Sequence, residues 1–211
     1  MNTQGLRLGF AAVFMVMAGL LFGACGGDGG GEATPTPEAS APTPLPQPTI
    51  EGNRYIFPGR GYSATIPEGW TADPNSVASG PMKVDAFFAG EEVEGVQTNI
   101  TVTCEENPDN VGLSDYLELK LETLRQLDAR DLQRLGALQV AGVPAEMVQY
   151  SFVREDVTAS KVDVMFVGGP CAWTVSLTAA PSAIEAAKTT LNAFLGSFQL
   201  LTSEEGSSSA G

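Results

Sequence analysis

The side chains able to do chemistry in this 211-residue chain are few: three cysteines (Cys25, Cys104, Cys171), 25 Asp and Glu, 11 Lys and Arg, and no histidine. Without histidine there is no Ser-His-Asp triad, no Cys-His pair, no His-ligated zinc and no HExxH helix. Neither a Ser-x-x-Lys arrangement nor a phosphate-cradling Gly-x-x-x-x-Gly-Lys occurs. Two acidic runs stand out, Glu91, Glu92 and Glu94 in a Gly-bounded loop, then Glu105, Glu106 and Asp109. Hard cations need several oxygens converging on one point, and neither run has the Asp-x-Asp-x-Asp-Gly spacing that arranges this. Both read as solvated acidic surface, so no catalytic residue, metal site or cofactor is expected. The net charge of −14 excludes nucleic acid as a partner, because phosphate contacts need cations. Trp70, after Pro67-Glu68-Gly69, and the nearby Tyr55 and Phe57 are candidates for an exposed aromatic patch that meets a partner; the commoner alternative is that they plug the edge of a core.

Cys25 has its own context. Arg7 gives a short positive start, and from Leu8 to Ala24 no charged residue occurs. Residues 1–24 thus read as an export signal. Its end, Leu21-Phe22-Gly23-Ala24-Cys25, resembles the lipobox of bacterial lipoproteins, although Phe22 stands where Leu is usual. That resemblance implies cleavage before Cys25 and its lipidation. Cleavage removes Arg7 and takes the net charge from −14 to −15. An acidic chain is repelled by anionic headgroups, so acyl chains, worth about 0.8 kcal/mol per buried methylene, must do the attaching. The alternative is a plain signal or uncleaved anchor.

Residues 25–51 supply a tether. Glycines open it, six prolines follow (Pro35, Pro37, Pro42, Pro44, Pro46, Pro48), and only Leu45 and Ile50 are large and apolar. Such a segment buries too little to offset its ordering entropy and favours extended polyproline II. The small polar tail 202–211 is expected to be disordered too. Residues 52–201 remain as one domain.

Within that domain apolar residues alternate with polar ones, the strand signature. Ile100, Val102 and Cys104 oppose Asn99, Thr101 and Thr103. Cys171, Trp173, Val175 and Leu177 oppose Ala172, Thr174, Ser176 and Thr178. Val162, Val164 and Phe166 form a third such run, and Val148, Tyr150 and Phe152 a fourth. Turn residues between the runs (Pro58 to Gly61, Gly90 to Gly95, Gly142 to Pro144, Gly168 to Pro170) imply antiparallel pairing. One helix is expected from a Ser114 N-cap to about Arg130, with Leu117, Leu121 and Leu124 inward. A second is expected from Pro181 to Gly196, burying Ile184, Ala187, Leu191 and Phe194. The class is α+β, a single antiparallel sheet packed with two main helices.

The order of these elements resembles the PsbP-like families, which include the extrinsic photosystem II protein, a Ran-binding nuclear import factor and the LpqN-like lipoproteins of actinobacteria. The features that carry the resemblance are the opening Gly61-Tyr62-Ser63-Ala64-Thr65-Ile66-Pro67-Glu68-Gly69-Trp70, a middle helix, a hairpin around Gly142-Val143-Pro144-Ala145, and a last helix running into Ser197-Phe198. It implies a sheet with helices on both faces (an α/β/α sandwich) and a domain that binds partners without catalysis. It transfers no active site. The second face of several strands here is small and polar, which points to partial helix cover.

With Cys25 taken by lipid, Cys104 and Cys171 remain as an even pair in an oxidising compartment. Each lies on the apolar face near a strand end, so a disulfide follows if those ends are neighbours; otherwise they are two separate buried thiols. The resulting expectation is an extracytoplasmic, lipid-anchored binding or scaffold module of the bacterial cell envelope, with a protein partner. The alternative is a small-ligand carrier or a carboxylate enzyme, using residues such as Glu105 or Asp163 in a pocket between sheet and helix.

Overall fold

The computed structural model describes residues 45–74, 84–107 and 109–201. The expected signal, Cys25 and its lipidation, the tether up to Pro44 and the tail 202–211 lie outside the described residues.

Two antiparallel ladders organise the rest. The larger has seven strands: β4 (Thr71–Ala72), β5 (Ala86–Val93), β6 (Val96–Glu106), β7 (Arg130–Val140), β8 (Val143–Arg154), β9 (Val157–Gly168) and β10 (Cys171–Ala179). Their spatial order is β4-β5-β6-β10-β9-β8-β7. The smaller ladder is β1-β2-β3-β11, made by β1 (Thr49–Glu51), β2 (Arg54–Phe57), β3 (Tyr62–Thr65) and β11 (Gln199–Leu200). The expected single sheet is therefore two. The N-terminal hairpin and the chain end form their own small layer over one face of the large sheet. A strand also precedes Gly52. Gly52, at φ +62, opens a two-residue turn that folds Thr49–Glu51 back onto β2. A β-carbon on Gly59 would run into the Pro46 carbonyl, so the end of the expected tether packs against the β2–β3 turn.

Three of the large hairpins close with two residues of positive φ: Glu94 (52°) and Gly95 (78°), Ala141 (49°) and Gly142 (80°), Glu155 (48°) and Asp156 (66°). This is the primed-turn pattern whose twist matches that of the flanking strands. It fixes register, and hence which side chains share a face.

The inner face of the large sheet carries the main core. Ile100, Val102, Val162, Val164, Phe166, Trp173, Val175 and Leu177 are buried there against α2 (Ile184–Ser197) and the small ladder. The four inward residues expected of the second helix are all buried. The ring of Tyr62 stacks on Phe198 at 5.1 Å and meets Trp173 edge-on at 5.3 Å, which joins the small ladder, the end of α2 and the central strand. Ser197 fastens the same joint: its hydroxyl donates to the Phe194 carbonyl and accepts from the Thr65 amide.

Among the described residues, the outer face is covered by α1 (Leu113–Gln126). Tyr116, Leu117, Leu121 and Leu124 pack on Val148, Tyr150, Met165 and Ala172. Asn99, Thr101 and Thr103 stay half-exposed beside it, so the cover is partial. The helix starts one residue before the expected cap, with Gly112 at the N-cap and Ser114 inside the first turn. It stops at Gln126, before Arg130, because Asp128 turns left-handed at φ 58° and the Ala129 amide closes back on the Leu124 carbonyl. The freed residues become β7, an edge strand whose register shifts twice against β8.

Cys104 and Cys171 form a disulfide across β6 and β10, with Cα atoms 5.4 Å apart. The register sets Trp173 opposite Cys104 and Cys171 opposite Glu106, so the bridge runs diagonally between neighbouring strands. It closes a loop with a sequence separation of 67. By chain entropy that is worth roughly 4 kcal/mol. Alkylation of the denatured chain should leave both thiols unlabelled until reductant is added. Replacing both by serine should lower the unfolding free energy in urea by about 4 kcal/mol, and a loss below about 1 kcal/mol would show that strain or residual structure cancels the entropy.

Candidate functional site

The densest polar construction on the inner side centres on Asp85, a residue the sequence does not mark. It is 5% exposed, and every polar group it carries is used. Oδ1 accepts from Arg60 Nε at 2.7 Å and Oδ2 from the Cys104 amide at 2.5 Å. Its carbonyl accepts from the Tyr55 hydroxyl at 3.0 Å, and its amide donates to the Val102 carbonyl. Arg60, in the β2–β3 turn, also reaches Glu106 at 3.7 Å. One carboxylate thus joins the small ladder to the strand that carries the disulfide. The arrangement leaves no face of Asp85 for a substrate, so it is a structural clasp.

The aromatic candidates separate. Tyr55 and Phe57 are buried at 0% and 5% exposure, so neither belongs to an exposed patch. They alternate toward the core because β2 pairs with β1 on one side and β3 on the other, leaving that strand face only the inside to fill. Trp70 is half-buried and lies flat against the backbone of Gly90, where an added β-carbon would come within 2.7 Å of the indole. It forms one wall of an open groove of about 600 Å³ with Asn53, Thr65, Glu68 and Phe194.

Under α1 a second polar layer replaces apolar packing. The Tyr116 hydroxyl lies 2.9 Å from Thr174 Oγ1 and 3.2 Å from Glu105 Oε1, and Lys120 pairs with the same carboxylate. The Tyr150 hydroxyl donates to Asp163 Oδ2 at 2.8 Å, while Asp163 Oδ1 is buried with no protein partner. Glu105 and Asp163 therefore both engage tyrosines on the same face. Neither stands next to a nucleophile or a second carboxylate in a closed pocket. Among the described residues no three carboxylates or thiols converge as cation ligands.

All four tyrosines of the chain are pushed up from the ordinary phenol range, and burial is the largest cause for each. Nearby carboxylates add to it: Asp85 for Tyr55, Glu105 for Tyr116, Asp163 for Tyr150.

No protein-family model matches the chain, and no curated protein matches it by sequence. Solved structures do match. The cyanobacterial PsbP protein CyanoP from Synechocystis sp. PCC 6803 superposes with a TM-score of 0.50 at 19% identity, covering 78% of this chain and 99% of CyanoP. LpqN of Mycobacterium tuberculosis, described as involved in cell envelope biogenesis, superposes with a TM-score of 0.50 at 13% identity, covering 67% of this chain and 83% of LpqN. The chain has the PsbP-like fold. At these identities the likeness is one of backbone. The Asp85 clasp, the disulfide and the Trp70 groove of this PsbP-like domain rest on its own residues.

Two outcomes follow from this geometry. Asp85→Asn, which keeps the shape and removes the charge facing Arg60, should cost about 3 kcal/mol in urea unfolding. A loss under about 0.5 kcal/mol would show that Arg60 is satisfied by water and Glu106 instead. Because folding raises every tyrosine pKa, the native chain keeps protons that the unfolded chain releases above the ordinary value of 10.0. Stability is therefore full below pH 10 and falls above it, by up to about 1.4 kcal/mol per pH unit for each tyrosine. Phenolate absorbance should appear together with loss of tertiary signal; gradual ionisation of the folded protein at pH 10 would contradict the burial.

Proposed function

We propose that this protein is a lipid-anchored component of the bacterial cell envelope whose PsbP-like domain binds a protein partner and performs no catalysis. The observation that carries the reading is the coupling of two independent features. A lipobox-like Cys25 follows an apolar leader, and the fold behind it matches LpqN, itself a protein of envelope biogenesis. The hydrogen-bonded carboxylates support the non-catalytic half. Asp85 is consumed by structural hydrogen bonds, and Glu105 is held by Lys120 and Tyr116. The disulfide supports an oxidising compartment. Among the described residues no helix is long and apolar enough to cross a membrane.

A second reading, a small-ligand carrier, draws on the groove beside Trp70 with its mixed lining of indole, amide, hydroxyl and carboxylate. Ligand at a hundredfold excess over its Kd would add about 2.7 kcal/mol of stability. A thermal-shift screen against sugars, lipids and divalent metals, alongside Trp70→Ala, separates the readings. A partner-binding module should show no shift with any of them, whereas a shift lost in Trp70→Ala would establish the carrier.

Metabolic labelling with palmitate tests the anchor. The wild-type chain should carry label and partition into detergent, and Cys25→Ala should do neither. An unlabelled, fully soluble wild-type chain would remove the anchoring half of the proposal.

A further inference from the structure

The register of the large sheet leaves a gap at one end. Strand β10 pairs with β6 only as far as Thr178 opposite Asn99, and with β9 only as far as Ala179 opposite Ser160. Both neighbours continue beyond it. Val96 and Gln97 pair with β5 on their outer side, and Val157, Thr158 and Ala159 pair with β8. On the side facing β10, Val96 to Thr98 and Val157 to Ala159 have no strand partner among the described residues. After Ala179 the chain leaves the ladder and turns at Ala180–Ala183 into α2, with Ser182 held against Glu94 of the β5–β6 tip. Two strand edges therefore face each other across the width of one missing strand, about 9.6 Å from β6 to β9.

The gap is open on one side. A cavity of about 450 Å³ lies there on the α1 side of the sheet. Gln97 and Asn99 line one wall, Phe152, Val157 and Ala159 the other, and Thr178 lies at its blind end. On the β6 wall one backbone acceptor is served by a side chain of the same strand: Asn99 Nδ2 donates to the Gln97 carbonyl at 2.8 Å.

We infer that this gap is a docking slot for an extended segment of a partner protein, which enters as a continuation of β10 and pairs with β6 and β9 at once. Main-chain hydrogen bonds on both sides would hold it, as in strand addition at a single edge but doubled. The surroundings specify the segment. Residues pointing to the α1 side meet Phe152 and Val157, which is 40% exposed, and should be apolar. The residue pointing inward meets a side already filled by Ala180 and by Ser182, whose hydroxyl donates to Glu94, and should be small. The two hairpin tips that flank the mouth carry Glu91, Glu92, Glu94, Glu155 and Asp156, all exposed, against Arg154 on the wall and Lys161 deeper in. The mouth therefore favours a segment with cations at its ends. This charge pattern disfavours the chain's own tail, which carries Glu204 and Glu205. The inference rests on the partner-binding reading above and names the surface and the chemistry of what it takes.

Hydrogen exchange read by mass spectrometry on the full-length chain in detergent tests it, with the capped peptide Lys-Val-Ala-Val-Lys at about 1 mM, the weak end of useful affinity. Exchange should slow about twofold or more at Val96 to Thr98 and at Val157 to Ala159 together, with Lys-Val-Pro-Val-Lys giving no protection because proline cannot donate. Glu-Val-Ala-Val-Glu should bind about tenfold more weakly at low salt, and the difference should shrink as salt is added. Ala159→Trp, which fills the half-exposed outer wall, should abolish protection while leaving the melting temperature and the exchange of the α2 core unchanged; loss of that core protection would call for Thr178→Arg as the blocking variant. Protection at neither edge, protection at one edge alone, or equal protection by the proline peptide overturns the slot. Cross-linking in cells distinguishes the two levels of the argument. A partner captured equally by wild type and the blocked variant leaves the binding module standing and removes the slot, whereas capture of no partner by either removes the module.

Discussion

Most of this structure depends on one constraint: the central strand β10 is buried on both faces, and everything else is arranged to cover it. Seven of its first seven residues, Cys171 to Leu177, are buried, polar Thr174 and Ser176 included. On the inner face Trp173, Val175 and Leu177 demand an apolar cover thicker than α2 alone provides, and the small ladder supplies it with Tyr55, Phe57 and Tyr62. A sheet strand and a hairpin from distant parts of the sequence must then be held in register. The Asp85 clasp does this, binding Arg60 of the hairpin and the Cys104 amide of β6 through one carboxylate. A buried ion pair is weak evidence for net stability, since desolvation opposes it, but it is strongly directional. Its geometric role is to fix which side of the small ladder faces inward.

The disulfide acts on the same place from the other direction. It closes β6 onto β10 beside the clasp, so the end of the sheet nearest the β2–β3 turn is fixed twice, once covalently and once by charge. The opposite end, between the β5–β6 and β8–β9 tips, has neither. There the ladder pairs lapse and the Asn99 side-chain amide takes over the Gln97 carbonyl. The sheet thus has a fixed end and an open end, and the proposed docking would act at the open one. Backbone edges are costly to leave unpaired and prone to unwanted pairing, and a ring of carboxylates at the mouth limits which chains enter.

The parts legible in the sequence are those governed by a local period. The alternation of β6, β8, β9 and β10 and the inward faces of both helices follow from side-chain spacing alone; the faces of Cys104 and Cys171 follow too, but their pairing needs β6 and β10 to be neighbours, which the structure shows. What escaped is governed by partners far along the chain. Strand β7 carries two bulges and a mostly exposed surface, so its alternation is broken. Tyr55 and Phe57 look like surface candidates until the small ladder turns them inward. Asp85 is one acid among 25, and only the approach of Arg60 distinguishes it. The split into two ladders has the same origin, because β11 lies at the far end of the chain from the β3 it pairs with.

The distance between fold and function is visible in the comparison with CyanoP and LpqN. At 19% and 13% identity the backbone course persists, because alternation and turn chemistry can be met by many residues of the right class. A site cannot be met that way, since it needs particular groups at particular distances. The features of this chain that have such specificity are the clasp, the diagonal disulfide, the Trp70 wall lying on Gly90, and the gap beyond Thr178. The first two are turned inward and closed to solvent. The last two are open, lie on opposite sides of the large sheet, and differ in what they offer. The Trp70 groove presents side chains of mixed character, suited to a small molecule. The gap presents two strand edges with no strand between them among the described residues, a geometry that an extended backbone complements. A domain that used the groove would gain by closing over its ligand, whereas one that used the gap would gain by keeping its hairpin tips apart and rigid. The primed turns at Glu94-Gly95 and Glu155-Asp156, which lock both tips into tight two-residue reversals, favour the second use.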